Sequence, residues 1–173
     1  MLENKKILIT GIANKFSIAA GIAKSMKDHG ASLAFTYQNE RLLKRIKPIA
    51  EELGVKTLIE CDVSCDSSID SAFSTIGSSF GNLDGIVHSI GFAPSDQLEG
   101  DFTEVTTREG FKIAHDVSSY SFTALAKAGL PILNENSALL TLTYLGSMQS
   151  LPNYNVMGLA KASLEANTRF LAA

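Results

Sequence analysis

Short apolar runs alternate with amphipathic segments along most of the chain. Most of the runs are continuously apolar, which is typical of strands that helices cover on both faces of a parallel sheet. The alternation predicts an α/β fold with a doubly wound parallel sheet, and right-handed crossovers favour the strand order 3-2-1-4-5. The predicted strands are Lys6–Thr10, Ser32–Tyr37, Thr57–Cys61, Gly85–Ser89 and Ala138–Thr143.

The amphipathic segments carry apolar side chains at helical spacing, and glycines mark their ends. The first apolar stripe comprises Ile18, Ile22 and Met26 and stops before Gly30. The next two stripes stop at Gly54 and Gly81, and they comprise Leu42, Ile46, Ile49 and Leu53, then Ile69, Phe73, Ile76 and Phe80.

Two further helices are predicted in the second half of the chain. One runs from Arg108 to Leu130, where Pro131 removes a backbone donor and kinks or ends the helix. The other runs from Asn153 to the last residue, Ala173. The chain of 173 residues is the size of one domain, so we expect a single domain over residues 1–173.

Charge and composition limit the possible functions. The formal net charge of −3 gives no electrostatic reason to expect nucleic acid or an anionic membrane surface as a partner. No stretch approaches the ~20 apolar residues of a spanning helix. The two cysteines, Cys61 and Cys65, have no histidine nearby, so no metal site is predicted and two reduced cytoplasmic thiols are the simpler interpretation.

Unusual residues follow the first strand, at the edge where doubly wound sheets bind ligands. The segment reads Gly11-Ile-Ala-Asn-Lys-Phe-Ser17-Ile-Ala-Ala-Gly21. Gly11 permits a tight turn, and Ser17 is a candidate cap for a helix whose first amides would face a pyrophosphate. Because only Gly11 matches the usual glycine pattern, an ordinary strand–helix turn remains an alternative.

The ends of the second and third strands carry candidate adenosine contacts. Gln38 is neither the acidic residue typical of NAD sites nor the arginine typical of NADP sites, and its amide carries no charge that would favour an extra phosphate. Arg41 keeps NADPH as an alternative, although a solvated helix face is the simpler interpretation of this residue. NADH is therefore favoured over NADPH. Asp62 and Val63 are candidates to bind the adenine amino group and its ring, and a helix cap is the alternative for Asp62.

The fourth strand ends in His88-Ser-Ile-Gly91, where a glycine lets the backbone pass close to a ribose or a nicotinamide. His88 lies on an apolar strand, and a buried core histidine is the preferred interpretation. Near the end of the chain, Tyr154 and Lys161 are seven residues apart. In a helix, this spacing places both side chains on one face, about 10.5 Å apart along the axis, which suits chemistry on a carbonyl.

Four segments together resemble the bacterial enoyl-(acyl carrier protein) reductases of type II fatty-acid synthesis, within the short-chain dehydrogenase/reductase superfamily. The resemblance covers the whole chain. The segments are Ala34-Phe-Thr-Tyr-Gln38, His88-Ser-Ile-Gly-Phe-Ala-Pro94, Thr107-Arg-Glu-Gly-Phe-Lys-Ile-Ala-His115 and Pro152-Asn-Tyr-Asn-Val-Met-Gly-Leu-Ala-Lys-Ala-Ser-Leu-Glu-Ala166.

Three departures separate this chain from the ketone reductases of the superfamily, and all three point to enoyl reduction. Most superfamily members place a tyrosine four residues before the lysine, where this chain has Met157. The Asn-Asn-Ala-Gly pattern that usually ends the fourth strand is replaced by His88-Ser-Ile-Gly91. Tyr144 stands near the position of the usual catalytic serine.

The resemblance implies a role for each matching position. Tyr154, Tyr144 and Lys161 would be catalytic, and Ala93 would contact the substrate. The implied contacts with NADH are Gly11, Ser17, Ile18, Gln38, Asp62, Val63, Ile90 and Lys161.

The implied reaction reduces a trans-2-enoyl thioester on acyl carrier protein by hydride transfer from NADH. Tyr154, as a neutral hydroxyl, would donate a hydrogen bond to the oxygen that becomes an enolate. Lys161 would hold the nicotinamide ribose, and its charge would stabilise the enolate and a tyrosinate. Tyr144 would position the thioester or relay a proton. The resemblance also implies a homotetramer in the cytoplasm.

Members of the family continue beyond Ala173 with more strands and a lid over the acyl chain. The sequence therefore predicts a Rossmann-like domain truncated after its fifth strand and the following helix, with weak cofactor affinity and little or no turnover. A catalytically inactive dinucleotide-binding fragment and a short-chain ketoreductase remain as alternatives, and Met157 disfavours the latter.

Overall fold

The computed structural model describes all residues from Met1 to Ala173. Five strands form one sheet in the order β3-β2-β1-β4-β5, which confirms the predicted topology. β1 pairs in parallel with β2 and β4, and β2 pairs in parallel with β3. The strands are β1 Lys6–Ile9, β2 Ser32–Tyr37, β3 Thr57–Glu60, β4 Leu83–His88 and β5 Leu133–Thr141.

The chain divides into two compact units. The first comprises Met1–Ser89 and Ala126–Leu140, and the second comprises Ile90–Leu125 and Thr141–Ala173. One core cluster of the first unit contains buried residues between positions 7 and 87, including Leu33, Phe35 and Ile46. No helix of the protein combines the length and the apolar character that crossing a membrane requires.

The fifth strand begins at Leu133, five residues before the predicted start at Ala138. Its first half contains polar residues, and Asn136 has a φ of 63°, which interrupts the extended conformation. The amide of Asn134 donates to Asp84 Oδ1 at 3.2 Å, so this polar half is held to β4 by side chains. The apolar pattern therefore identified only the second half of the strand.

Seven α-helices accompany the sheet. They are α1 Ile18–Asp28, α2 Glu40–Glu52, α3 Asp66–Ser79, α4 Phe102–Val105, α5 Arg108–His115, α6 Ser121–Gly129 and α7 Asn155–Ala172. The predicted glycine stops of the first three are confirmed by positive φ angles at Gly30, Gly54 and Gly81. The stripes predicted for α2 and α3 supply buried residues such as Ile46, Ile69 and Phe73.

The stripe predicted for α1 is partly wrong. Ile18 is 67% exposed, and the buried face of the helix consists of Ala19, Ala20 and Ala23. Small side chains allow a helix to approach a sheet closely, so alanines fill the contact face and the isoleucine at the first position turns outward. Ile22 and Met26, from the predicted stripe, still pack against the core.

The helix predicted from Arg108 to Leu130 contains a wider turn. A π-helical segment, Asp116–Tyr120, joins α5 to α6. The hydroxyl of Ser118 in this turn donates to the Phe92 carbonyl and accepts from the Phe92 amide, both at 2.9 Å. Such π segments are frequent at functional sites. The predicted end is confirmed, because α6 stops at Gly129 and a 3-10 turn, Leu130–Ile132, contains Pro131.

Candidate functional site

The loop after β1 adopts the tight turn that the sequence predicted. Gly11 has a φ of 82°, a conformation that other residues rarely adopt. Ser17 occupies the position before α1, yet its side chain does not cap the helix. The hydroxyl accepts instead from the amides of Ala13 and Asn14 at 3.3 and 3.2 Å and donates to the Asn14 carbonyl. The predicted side-chain cap is therefore wrong, and the hydrogen bonds of Ser17 stabilise the loop before α1 instead.

Gln38 and Asp62 meet at the ends of β2 and β3. The Gln38 amide donates to Asp62 Oδ2 at 3.3 Å, and Ser64 donates to Oδ1 through its amide and its hydroxyl. Burial raises the pKa of Asp62, but the hydrogen bonds from Ser64 and Gln38 outweigh it and leave this pKa below its usual value. The carboxylate is therefore ionised near neutral pH. Cys65 holds the position before α3, so the alternative of a helix cap at Asp62 is wrong.

The apolar residues predicted to contact the cofactor differ in exposure. Val63 follows Asp62 and is 8% exposed, so most of its side chain packs within the protein. Ile18 is available to a ligand because its side chain points to solvent at the first position of α1. Ile90 is half-buried after β4, whose last residue, His88, is fully buried as expected for a core histidine.

Tyr154 lies just before α7 rather than within it. The helix begins at Asn155, two residues after the predicted start, and both Asn153 and Asn155 have positive φ angles of 58° and 27°. Tyr154 itself has a φ of −121° and a ψ of −27°. The helical spacing between Tyr154 and Lys161 is therefore approximate, since the tyrosine leaves the chain from a turn.

The two predicted tyrosines lie against each other. The ring centroids of Tyr144 and Tyr154 are 5.1 Å apart in an edge-to-face arrangement with an interplanar angle of 62°. This geometry is favourable for aromatic pairs. Burial, followed by the proximity of Tyr144, raises the pKa of Tyr154 above its usual value of about 10. Tyr154 is therefore a neutral hydrogen-bond donor at physiological pH.

Lys161 is a buried cation on α7 that is 8% exposed. Its ammonium donates to the Leu142 carbonyl at 2.9 Å, and burial lowers its pKa. The same ammonium lies 3.4 Å from where a Cβ on Gly91 would be. An ammonium has three donors, so the bond to Leu142 leaves capacity for further acceptors.

Ala93 and Met157 belong to one buried cluster with Ala114, Val156 and Ala160, and Tyr154 packs against it. The structure thus brings the predicted substrate contact, Ala93, and the predicted hydrogen-bond donor, Tyr154, to the same cluster. Met157, at the position that holds a tyrosine in most of the superfamily, is 9% exposed and serves as core.

Several residues that shape this region were not identified from the sequence. Gly146 gives room to the ring of Tyr154, because a Cβ there would lie 2.4 Å from a ring carbon. Gly158 faces the Gly146 carbonyl, which a Cβ would approach to 2.7 Å. Glu165 accepts from Thr143 and Ser147 on either side of Tyr144. The positions of Gly146, Gly158 and Glu165 depend on contacts across the chain, and the only sequence signal was two glycines close to the predicted tyrosines.

These features fit a dinucleotide. A positive-φ glycine after β1 and a polar pair at the ends of β2 and β3 lie at the carboxyl edge of the parallel sheet, where such ligands bind. In the second unit, a Cβ at position 91 would fill the space next to the ammonium of Lys161. In the first unit, the amide of Gln38 and the carboxylate of Asp62 have the chemistry to bind an adenosine. In the second unit, the ammonium of Lys161 has the chemistry to bind ribose hydroxyls.

Comparison with known families and curated proteins gives concordant matches. The family profile described as enoyl-(acyl carrier protein) reductase matches residues 11–173. The NADH-dependent enoyl-(acyl carrier protein) reductase FabI of Escherichia coli (strain K12) is 59% identical over 171 residues. The corresponding Haemophilus influenzae protein is 54% identical over 172 residues. Each alignment covers 99% of this chain, which spans about 65% of the length of these relatives.

Solved structures show the same similarity. The enoyl-(acyl carrier protein) reductase (NADH) of Aquifex aeolicus VF5 superposes with a TM-score of 0.96 at 48% identity, covering 99% of this chain and 68% of that one. The reductase of Anaplasma phagocytophilum, solved in complex with NAD, superposes with a TM-score of 0.95 at 41% identity, covering 99% and 65%.

Proposed function

Because the chain belongs to the enoyl-(acyl carrier protein) reductase family, we propose that it carries the NADH-binding residues and the oxyanion-stabilising tyrosine of such an enzyme. The proposed reaction converts a trans-2-enoyl thioester on acyl carrier protein to the saturated acyl thioester. The observation that carries the proposal is the pairing of Tyr144 with Tyr154 at a centroid distance of 5.1 Å. Met157 is buried where a ketoreductase would present its tyrosine, which favours enoyl over ketone reduction.

Tyr154 acts at the thioester oxygen in this proposal. Bound NADH would supply a hydride for the β-carbon, and the resulting enolate would take a proton from solvent at its α-carbon to give the saturated thioester. As negative charge develops on the oxygen, a neutral phenol aimed at it stabilises the transition state more than the ground state. The raised pKa keeps Tyr154 in the donor form at neutral pH. Tyr144 packs against the Tyr154 ring and helps to orient it.

Lys161 would hold the hydroxyls of the nicotinamide ribose, next to Gly91. Gln38 and Asp62 would hold the adenosine, with Gly11 allowing close backbone approach to the phosphates. The ionised carboxylate of Asp62 beside Gln38 disfavours an additional phosphate, so we assign NADH rather than NADPH.

A direct test is NADH oxidation in the presence of the purified 173-residue chain and a crotonyl thioester of acyl carrier protein. The proposal expects slow loss of NADH absorbance and formation of the saturated thioester, in keeping with the low turnover that the sequence predicts. Binding of NADH without oxidation would instead support a dinucleotide-binding module. Oxidation with a β-ketoacyl thioester alone would support a ketoreductase and contradict the proposal.

We also propose that the chain forms a homo-oligomer, with a tetramer as the expected state, in the cytoplasm. A groove of about 680 Å³ runs along the second unit, and its lining includes Phe111 and Tyr120, which are 39% and 47% exposed. Exposed aromatic side chains of this kind are enriched at interfaces. The free thiols of Cys61 and Cys65 agree with a reducing compartment.

Replacing Tyr120 with aspartate is expected to lower the molar mass measured by light scattering, because a buried charge destabilises an interface. Phe16→Asp serves as the control, since Phe16 is 84% exposed on the loop after β1 and is not part of the groove. The control is expected to keep the mass of the unaltered protein. A monomeric unaltered protein, or an equal mass in Tyr120→Asp, would contradict the assignment.

A further inference from the structure

One carboxylate holds both sides of the turn that carries Tyr144. Thr143 Oγ1 donates to Glu165 Oε1 at 2.6 Å, and the hydroxyl of Ser147 donates to the same oxygen. Thr143 and Ser147 flank the tyrosine, at one residue before it and three residues after it. The two hydrogen bonds therefore fix the turn at both ends from a single point on α7.

Two other residues of α7 hold the same segment. Lys161 donates to the carbonyl of Leu142, immediately before the turn. Gly158 lies so close to the Gly146 carbonyl that a Cβ would approach it to 2.7 Å. Positions 158, 161 and 165 are separated by three and four residues, so they share one face of the helix. This face contacts the segment 142–147 along its length.

Glu165 has the charge state that this contact needs. Hydrogen bonds from Ser147 and Thr143, in that order, hold its pKa below the usual carboxyl value, and Arg169 adds a smaller effect in the same direction. A depressed pKa in the folded state means that the stabilisation is present above the usual carboxyl pKa. It is lost as the pH falls through the lowered value. The carboxylate therefore accepts both hydrogen bonds throughout the neutral range.

We propose that Glu165 is a positioning residue that fixes the Thr143–Ser147 turn and thereby holds the ring of Tyr144 against Tyr154. The ring of Tyr154 lies over Gly146 in the middle of this turn, so a displaced turn moves both partners of the aromatic pair. The consequence for catalysis rests on the proposed function. The consequence for the position of the Tyr144 ring does not, because it follows from contacts within the second unit.

The first experiment needs no activity. Protein labelled with ¹³C at the tyrosine Cζ gives one NMR resonance for each of the four tyrosines, and Tyr144→Phe and Tyr154→Phe assign two of them. Glu165→Ala is expected to shift or broaden the Tyr144 and Tyr154 resonances, while those of Tyr37 and Tyr120 stay in place. Glu109→Ala, which removes an exposed carboxylate of α5, is the matched control and is expected to change neither. A folded Glu165→Ala protein with an unchanged Tyr144 resonance would overturn the proposal.

A second variant removes the same hydrogen bonds from the other side. Thr143→Val with Ser147→Ala leaves Glu165 in place and is expected to displace the Tyr144 resonance as Glu165→Ala does. Combining all three substitutions is expected to displace the Tyr144 resonance little further, because the three groups belong to the same pair of hydrogen bonds. Additive shifts would show that Glu165 acts through other contacts and would count against the proposal. This variant also covers the case in which Glu165→Ala does not fold.

The kinetic test separates positioning from cofactor binding. Glu165→Ala is expected to lower kcat by about tenfold to 100-fold, the scale of a misplaced reacting group, with an unchanged Kd for NADH. Glu165→Gln keeps one accepting oxygen and is expected to recover part of the loss. If the unaltered chain shows no turnover, the proposed function fails while the NMR result still decides the positioning role. Equal kcat in Glu165→Ala and the unaltered enzyme would overturn the role in catalysis.

Discussion

Replacing Tyr154 with phenylalanine is expected to lower kcat for enoyl reduction by about 100- to 1,000-fold, the range found when one donor to a developing oxyanion is removed. The ring, its contact with Tyr144 and its position over Gly146 are all retained, because only the hydroxyl is lost. NADH affinity is expected to stay the same, since the assigned ribose ligand is Lys161. The change therefore isolates the hydroxyl from the packing of the ring.

Stopped-flow measurement of hydride transfer, together with a fluorescence titration of NADH, tests this expectation. Tyr120→Phe is the matched control, since it removes the hydroxyl of an exposed tyrosine and is expected to leave both values unchanged. The pKa of Tyr154 is raised by burial and by Tyr144, so its ionisation is not expected to limit the rate near neutral pH. Unchanged turnover in Tyr154→Phe would exclude the oxyanion role.

Replacing Lys161 with methionine is expected to weaken NADH binding by about tenfold to 100-fold. A hydrogen bond from a charged group contributes about 1.5–3 kcal/mol, and each 1.4 kcal/mol is about a tenfold change in affinity. Methionine has nearly the same length and fills the space next to Gly91 without a charge. The free energy of unfolding is expected to change little, because losing the bond to the Leu142 carbonyl is offset by removing a buried ammonium.

The pH dependence of the free energy of unfolding provides a second measurement on the same variant. Burial lowers the pKa of Lys161 in the folded protein, so the unfolded chain binds more protons between that value and the usual lysine pKa. Stability therefore rises with pH through that window for the unaltered protein, and the Lys161→Met variant loses this contribution. Lys24→Met, at an exposed lysine of α1, is the control for removing a positive charge. Unaltered NADH affinity in Lys161→Met would exclude the assigned role.

The periodicity of apolar residues predicted the sheet and most of its helices because local patterns dominate those elements. The strands β1 and β2 are mostly apolar and buried, and the glycine stops are a backbone requirement that one residue type satisfies. The prediction was wrong where a local pattern conflicts with packing. Ile18 is exposed because the small Ala19 and Ala23 form the face of α1 that packs on the core. The first half of β5 was missed because it contains polar residues such as Asn134 and Asn136.

The candidate site was predictable only in its residue types. The spacing of Tyr154 and Lys161 suggested one helical face, but positive φ angles at Asn153 and Asn155 place Tyr154 in a turn before α7. Ser17 was expected to cap α1, yet its hydroxyl accepts hydrogen bonds from the amides of Ala13 and Asn14 in the preceding loop. Side-chain hydrogen bonds of this kind depend on loop geometry, which no periodic signal encodes.

The strand order and the glycine turn at Gly11 were predictable from the sequence, because they follow from local periodicity, crossover handedness and backbone sterics. The residue types of the proposed chemistry followed from the resemblance to a known family. The hydrogen bond from Gln38 to Asp62 and the contact of the Tyr144 ring with Tyr154 are visible only in the folded structure. The same is true of the hydrogen bonds by which Glu165 accepts from Thr143 and Ser147 in the turn that carries Tyr144. These contacts join residues 10 to 24 positions apart, so their formation depends on how the folded chain packs.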